Sequence, residues 1–214
     1  VFDLATRNLY LCVGVREDLS TFLPQVLRGG VDVVQLREKD LDDEARVQAA
    51  RLVVPICRDF AVPFVMNDSP EMAYQVAADG VHVGQDDVSV ARCRELLGAE
   101  AIVGLSTHSN AEFDDALTQR ATYFSAGPIV PTPTKPGREG TGLDYAVSCE
   151  RRSDRPVFVT GGVTSANVAA LVGAGLRRFV VVRYLTQSPD PEASARELRE
   201  ALDLALSAVT VEPT

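Results

Sequence analysis

Residues 31–39 read Val-Asp-Val-Val-Gln-Leu-Arg-Glu-Lys. The first half is β-branched and apolar, and such side chains pack best on the pleated surface of a strand. Side chains alternate along a strand, so Val33, Gln35, Arg37 and Lys39 share one side, while Val34 and Leu36 share the other. The first row starts apolar and ends polar and cationic, as expected of a strand that leaves a packed interior at an open mouth. On either side, residues 19–28 and 43–59 carry apolar positions at helical spacing.

Working outward, the same unit repeats. Strand-type runs fall near residues 9–15, 31–37, 63–67, 80–85, 101–106, 123–127, 156–160 and 179–183. Helical segments fall at residues 19–28, 43–59, 70–78, 90–97, 111–120, 144–152, 166–174 and 191–209. Asn110 and Ser165 stand where helix caps belong. Strands joined by helices run parallel. Eight units without a hairpin signal in 214 residues predict an α/β protein, a single-domain (β/α)8 TIM barrel over residues 1–214. An open doubly wound sheet is the alternative. The one long connection, GPIVPTPTKPGREGTG at residues 127–142, has the length of a functional loop.

Composition narrows the function classes. Hydrophobic residues make up 46% and charged residues 24%, which excludes a disordered or collagen-like chain. A net charge of −9 argues against a general affinity for nucleic acid. No apolar run is long enough to span a membrane. The start, VFDLATRNLYL, lacks the features of a signal peptide, and the four cysteines are far apart, so a cytoplasmic protein with reduced thiols is expected. A homo-oligomer is compatible with all of this.

Polar residues recur where strands end: Gln35 to Lys39, Asn67-Asp68, Gln85-Asp86-Asp87, Ser106-Thr107-His108, Thr132 to Lys135, and Gly161-Gly162. In a barrel these ends share one face, the face that carries active sites. The chain has only two lysines, Lys39 and Lys135, against 19 arginines, and both follow strands. With Arg37 they suit phosphate oxygens, although surface ion pairs with Glu38 and Asp40 are the plainer reading. Asp68 and Asp87 suit Mg2+, which takes one or two carboxylates together with phosphate oxygens and water. Helix capping is the competing role for both, and Asp86 is an alternative ligand that spacing does not separate. Gly161-Gly162 ahead of a helix can admit an anion to backbone N–H groups, with Arg183 adding charge. His82 reads as packed and hydrogen-bonded. Ser106–His108 has no carboxylate partner in sequence, so no hydrolytic triad is expected.

These motifs resemble one family. GGVDVVQLREK (residues 29–39), ND (67–68), ADGVHVGQDD (78–87), GLSTH (104–108), GPIVPTPTKPG (127–137) and GGVT (161–164) are similar to those of thiamine-phosphate synthases, over nearly the whole chain. The resemblance implies a (β/α)8 transferase of thiamine biosynthesis with Mg2+ as cofactor and two small-molecule substrates. It would join hydroxymethylpyrimidine diphosphate to hydroxyethylthiazole phosphate, releasing pyrophosphate. It further implies that Gln35, Leu36, Arg37, Glu38 and Lys39 bind the pyrimidine diphosphate, joined by Asn67, Ser106 and Lys135. Arg37, Lys39 and Lys135 would act on the leaving group, and Asp68 and Asp87 would hold the metal. Thr132, Pro133 and Thr134, with Gly162, Val182 and Arg183, would line the thiazole phosphate site. The family often has serine where this chain has Arg183, which leaves that contact open. A thiazole tautomerase of the related barrel group, or a barrel that binds without turnover, are the alternatives.

Overall fold

The computed structural model describes residues 2–131 and 139–210. Eight strands form a closed barrel: β1 (Leu9–Val13), β2 (Val33–Leu36), β3 (Phe64–Asn67), β4 (Gly80–Val83), β5 (Ile102–Thr107), β6 (Tyr123–Ala126), β7 (Val157–Thr160) and β8 (Arg178–Val181). All neighbours are parallel, and β8 returns to β1 with Leu9 opposite Phe179 and Leu11 opposite Val181. The barrel is the predicted fold, and the open sheet is excluded by that closing pair.

The helices are α1 (Leu19–Arg28), α2 (Asp43–Asp59), α3 (Pro70–Val76), α4 (Val90–Leu97), α5 (Asn110–Thr118), α6 (Leu143–Arg152), α7 (Ser165–Gly173), α8 (Arg183–Thr186) and α9 (Pro191–Thr210). Outward-facing strand residues and the inner helix faces make one apolar layer, including Leu36, Phe64, Phe124 and Phe179. A separate cluster fills the barrel itself: Leu4, Tyr10, Val33, Val65, Ile102, Tyr123 and Phe158. Leu4 comes from a short 3-10 helix ahead of β1 and closes the N-terminal end. Above this plug the inward positions turn polar, with Gln35, Asn67, His82, Ser106 and Ser125 all buried. A functional site is thereby confined to the C-terminal mouth.

Several element boundaries differ from those expected from sequence, three of them at helix starts. Ser109, not Asn110, caps α5, accepting the Glu112 N–H at 3.2 Å. Thr164, not Ser165, caps α7, and Asn167 Oδ1 accepts its N–H at 2.9 Å. The last strand stops at Val181, and Arg183 opens α8, a four-residue helix with no strand character. Among the described residues no helix is long and apolar enough to cross a membrane. All four cysteines are buried, and none is in a disulfide.

Candidate active site

A cavity of about 640 Å³ opens at the C-terminal mouth. Strand alternation delivers Gln35, Arg37 and Lys39 to its wall from the end of β2. The same alternation turns the Leu36 side chain away from it, fully buried in the layer between barrel and helices. Glu38 also turns away from the cavity. Its carboxylate accepts the N–H groups of Val15 at 3.1 Å, Lys39 at 2.8 Å and Asp40 at 2.9 Å. It braces the loop that carries Lys39, and these N–H bonds, that of Asp40 foremost, hold its pKa below the usual range. The plainer reading of Lys39 as a surface partner of Glu38 or Asp40 also gives way: its Nζ lies 2.9 Å from Asp68 Oδ2.

Asp68 and Asp87 converge from neighbouring strand ends. Neither caps a helix, because Ser69 caps α3 and Ser89 caps α4. Asp68 adopts a left-handed conformation, φ 62°, just after β3, and its N–H donates to His82 O at 2.8 Å. Asp87 Oδ2 accepts the Gly84 N–H at 2.7 Å, closing the turn after β4. The two carboxyl groups interact directly. Burial works to raise the Asp68 pKa, but the Lys39 ammonium overrides it and holds the group ionised. Burial and the Asp68 charge instead push the Asp87 pKa up. Such a split is the mark of two like charges competing for one place. Asp86 lines the cavity too, but it is Asp87 that meets Asp68.

Among the described residues no three His, Cys, Asp or Glu side chains gather around one point. A facing carboxylate pair, one member of which resists ionisation because of burial and the charge of the other, fits a divalent cation that completes its shell with phosphate oxygens and water. Magnesium matches that donor set better than zinc, which takes nitrogen and sulfur.

Across the cavity lie Gly161, Gly162, Val182 and Arg183. Gly161 and Gly162 have φ of 111° and 71°, which glycine adopts without strain. A Cβ on Gly161 would lie 2.8 Å from the Ile129 nitrogen, so the pair also lets the β6–α6 connection pass close by. The described ends of that connection are tied down: Ile129 N–H donates to Thr160 O at 2.8 Å, and Thr141 N–H to Pro128 O at 2.7 Å. Thr132, Pro133, Thr134 and Lys135 lie outside the described residues. Arg183 is exposed at the start of α8. The next residue anchors this helix, with Tyr184 Oη 2.9 Å from Ser165 Oγ and 3.2 Å from Glu197 Oε2.

On the floor, Asn67 is buried, and its Nδ2 has no hydrogen-bond partner among the described residues. Ser106 Oγ lies 2.8 Å from His82 Nε2, and His82 Nδ1 lies 2.8 Å from Tyr123 Oη. His82 is thus packed and hydrogen-bonded, as expected. Contrary to expectation, His108 has a carboxylate partner: Glu112 Oε2, 2.9 Å from Nδ1 and also accepting the His108 N–H at 2.8 Å. The four-residue spacing was the available signal. No hydrolytic triad results, because Ser106 pairs with His82, whose other nitrogen meets a phenol rather than a carboxylate.

Residues 9–185 match the family profile described as thiamine monophosphate synthase. The thiamine-phosphate synthase of Acidothermus cellulolyticus is 41% identical over 94% of this chain and 97% of its own. That of Streptomyces avermitilis is 40% identical over 93% of this chain and 95% of its own. Among solved structures, thiamine phosphate pyrophosphorylase from Pyrococcus furiosus superposes with a TM-score of 0.84 at 23% identity, covering 93% of this chain and 96% of that one. A 3-hexulose-6-phosphate synthase superposes at 0.68 with 18% identity, covering 91% of this chain and 99% of that one, which speaks to the fold alone. With the profile spanning most of the barrel and relatives matched nearly end to end, the chain belongs to the thiamine monophosphate synthase family of transferases.

Proposed function

We propose that the enzyme condenses 4-amino-2-methyl-5-hydroxymethylpyrimidine diphosphate with hydroxyethylthiazole phosphate, giving thiamine phosphate and pyrophosphate. The observation that carries this reading is the Asp68–Asp87 carboxylate pair beside Lys39, on the opposite side of one cavity from Gly162 and Arg183. One side suits a diphosphate with its metal and the other a monophosphate. An isomerase acting on a single phosphate would have no use for the first.

Asp68 and Asp87 would hold Mg2+, which when bound supplies positive charge to the departing diphosphate. Arg37 and Lys39, with Lys135 from the long connection, would bind the diphosphate oxygens and stabilise the charge that gathers as the C–O bond breaks. The Asn67 amide and Ser106 hydroxyl would orient the pyrimidine. Gly162 and Arg183, with Thr132 to Thr134 and the backbone at Val182, would hold the thiazole phosphate so that the ring nitrogen faces the exposed methylene carbon. That nitrogen carries no proton, so no general base is required. Incubation with both substrates and Mg2+ should yield pyrophosphate and thiamine phosphate in equal amounts. Failure to form either product while the protein is folded would overturn the reading.

A further inference from the structure

Beneath the cavity, side chains from five strands form one continuous hydrogen-bonded chain. Gln35 Nε2 lies 2.8 Å from Tyr10 Oη, which lies 2.8 Å from Tyr123 Oη. Tyr123 Oη is 2.8 Å from His82 Nδ1, and His82 Nε2 is 2.8 Å from Ser106 Oγ. All five residues are buried. Gly104 makes room for the crossing: it stands between His82 and Tyr123 in register, and an added Cβ would overlap both.

The direction of every bond follows from one end. Cys12 Sγ is 3.5 Å from Gln35 Oε1, so the thiol donates to the amide oxygen and the amide nitrogen faces Tyr10. An amide NH2 donates and does not accept. Tyr10 therefore accepts from Gln35 and gives its own proton to Tyr123. Tyr123 in turn donates to His82 Nδ1, the ring proton sits on Nε2, and Ser106 Oγ accepts it. The Ser106 hydrogen is left for whatever lies above it. With the Gln35 amide in this orientation, reversing the chain would set two donors face to face at Tyr10, leaving a buried bond unmade.

We propose that Tyr10 and Tyr123 are positioning residues for the pyrimidine substrate: through this one-way chain they fix which atoms of Gln35 and Ser106 face it as donors and acceptors. The proposal rests on the function inferred above. An aminopyrimidine carries a donor amino group beside an acceptor ring nitrogen, and a locked amide answers both with its oxygen and its second N–H.

The test uses the full chain. With 15N-labelled histidine the two histidines give few signals, and His108→Gln assigns those of His108. His82 in the free wild-type protein should show a protonated Nε2 and an unprotonated Nδ1; a proton on Nδ1 would overturn the chain's direction. Tyr123→Phe and Tyr10→Phe keep rings that pack edge-on against Phe158 at 5.4 and 5.2 Å. Each should raise the KM for the pyrimidine diphosphate about tenfold while moving that for the thiazole phosphate less than about twofold, a loss equal to one net hydrogen bond. Tyr123→Phe should also release the fixed His82 tautomer. Equal rises in both KM values, or none, would reduce the tyrosines to packing. Should the wild type make no thiamine phosphate, the functional reading falls, and the His82 tautomer still decides the chain.

Discussion

Asp68 and Asp87 sit side by side, yet their environments pull their pKa values in opposite directions, and that difference is measurable without substrate. Asp68 is held low beside Lys39, so its ionised form stabilises the fold above the unfolded carboxyl range and this contribution is lost as pH falls through its folded pKa. Asp87 is pushed up by burial and the charge of Asp68, so its ionised form is a burden at neutral pH that fades as pH falls through its raised value. In chelator at neutral pH, Asp68→Asn should therefore lower the thermal midpoint and Asp87→Asn should raise it. Shifts of the same sign would mean the pair is not coupled as described. Both substitutions should cut turnover by about a hundredfold or more, as loss of a group that stabilises developing charge does. Arg183→Ala should raise the KM for the thiazole phosphate; a selective effect on the pyrimidine diphosphate would contradict its placement. Much of this site was legible because alternation along β2 and polar residues at strand ends are sequence properties. Less legible was the division within the motif: successive strand residues face opposite ways, so the side chains of Leu36 and Glu38 do not share the cavity wall with those of Gln35, Arg37 and Lys39. Glu112 was missed because a helical turn separates it from His108.

At the scale of elements, the strands were readable because both faces of a parallel barrel are buried and every strand is rich in apolar residues. The end of β8 was not readable. Phe-Val-Val-Val-Arg-Tyr-Leu, residues 179–185, has no breaker, and only the backbone turn at Val182, φ −125° and ψ −88°, separates strand from α8. The caps of α5 and α7 were each one residue early in the chain, since Ser109-Asn110 and Thr164-Ser165 offer two acceptable capping residues in succession. The interior of the barrel imposes a stricter condition that composition does not announce. Gly104 lies where a methyl group would strike the Tyr123 ring and the His82 imidazole. Gly104→Ala should cost about 3 kcal/mol, the upper end for overpacking a core. Gly173, at the end of α7, has nothing within 4 Å of its would-be Cβ and no positive φ. Gly173→Ala should stabilise by up to about 1 kcal/mol, since alanine loses less freedom in a helix. Urea unfolding of the two variants measures both, and similar effects of either sign would show that barrel interior and helix end are equally accommodating.

The whole molecule divides into a mouth that does chemistry and an opposite end that holds the ring shut. At the closed end Asp32, just ahead of β2, accepts the N–H groups of Asn8 at 3.0 Å and Leu9 at 2.9 Å, which ties it to the start of β1. Arg199 reaches in from α9, pairs with Asp32, and donates to Gly30 O at 2.8 and 3.1 Å. One side chain thus links the C-terminal helix to the first two strands. Burial pushes the Asp32 pKa up even against the Arg199 charge. Arg199→Ala would leave that carboxylate without its cation and should destabilise the protein by about 2–3 kcal/mol, somewhat less than a fully buried pair because water reaches both groups. The sign of the pH dependence follows. With a folded pKa raised further, the ionised carboxylate penalises the variant at neutral pH, and the penalty shrinks as pH falls through that value and Asp32 takes up a proton. Unfolding should show the largest gap from wild type at neutral pH and a smaller one in mild acid, while both KM values stay unchanged at temperatures where the variant is folded. A gap independent of pH would assign the loss to the arginine's packing rather than to the stranded charge. A changed KM would mean that the two ends of the barrel are coupled after all.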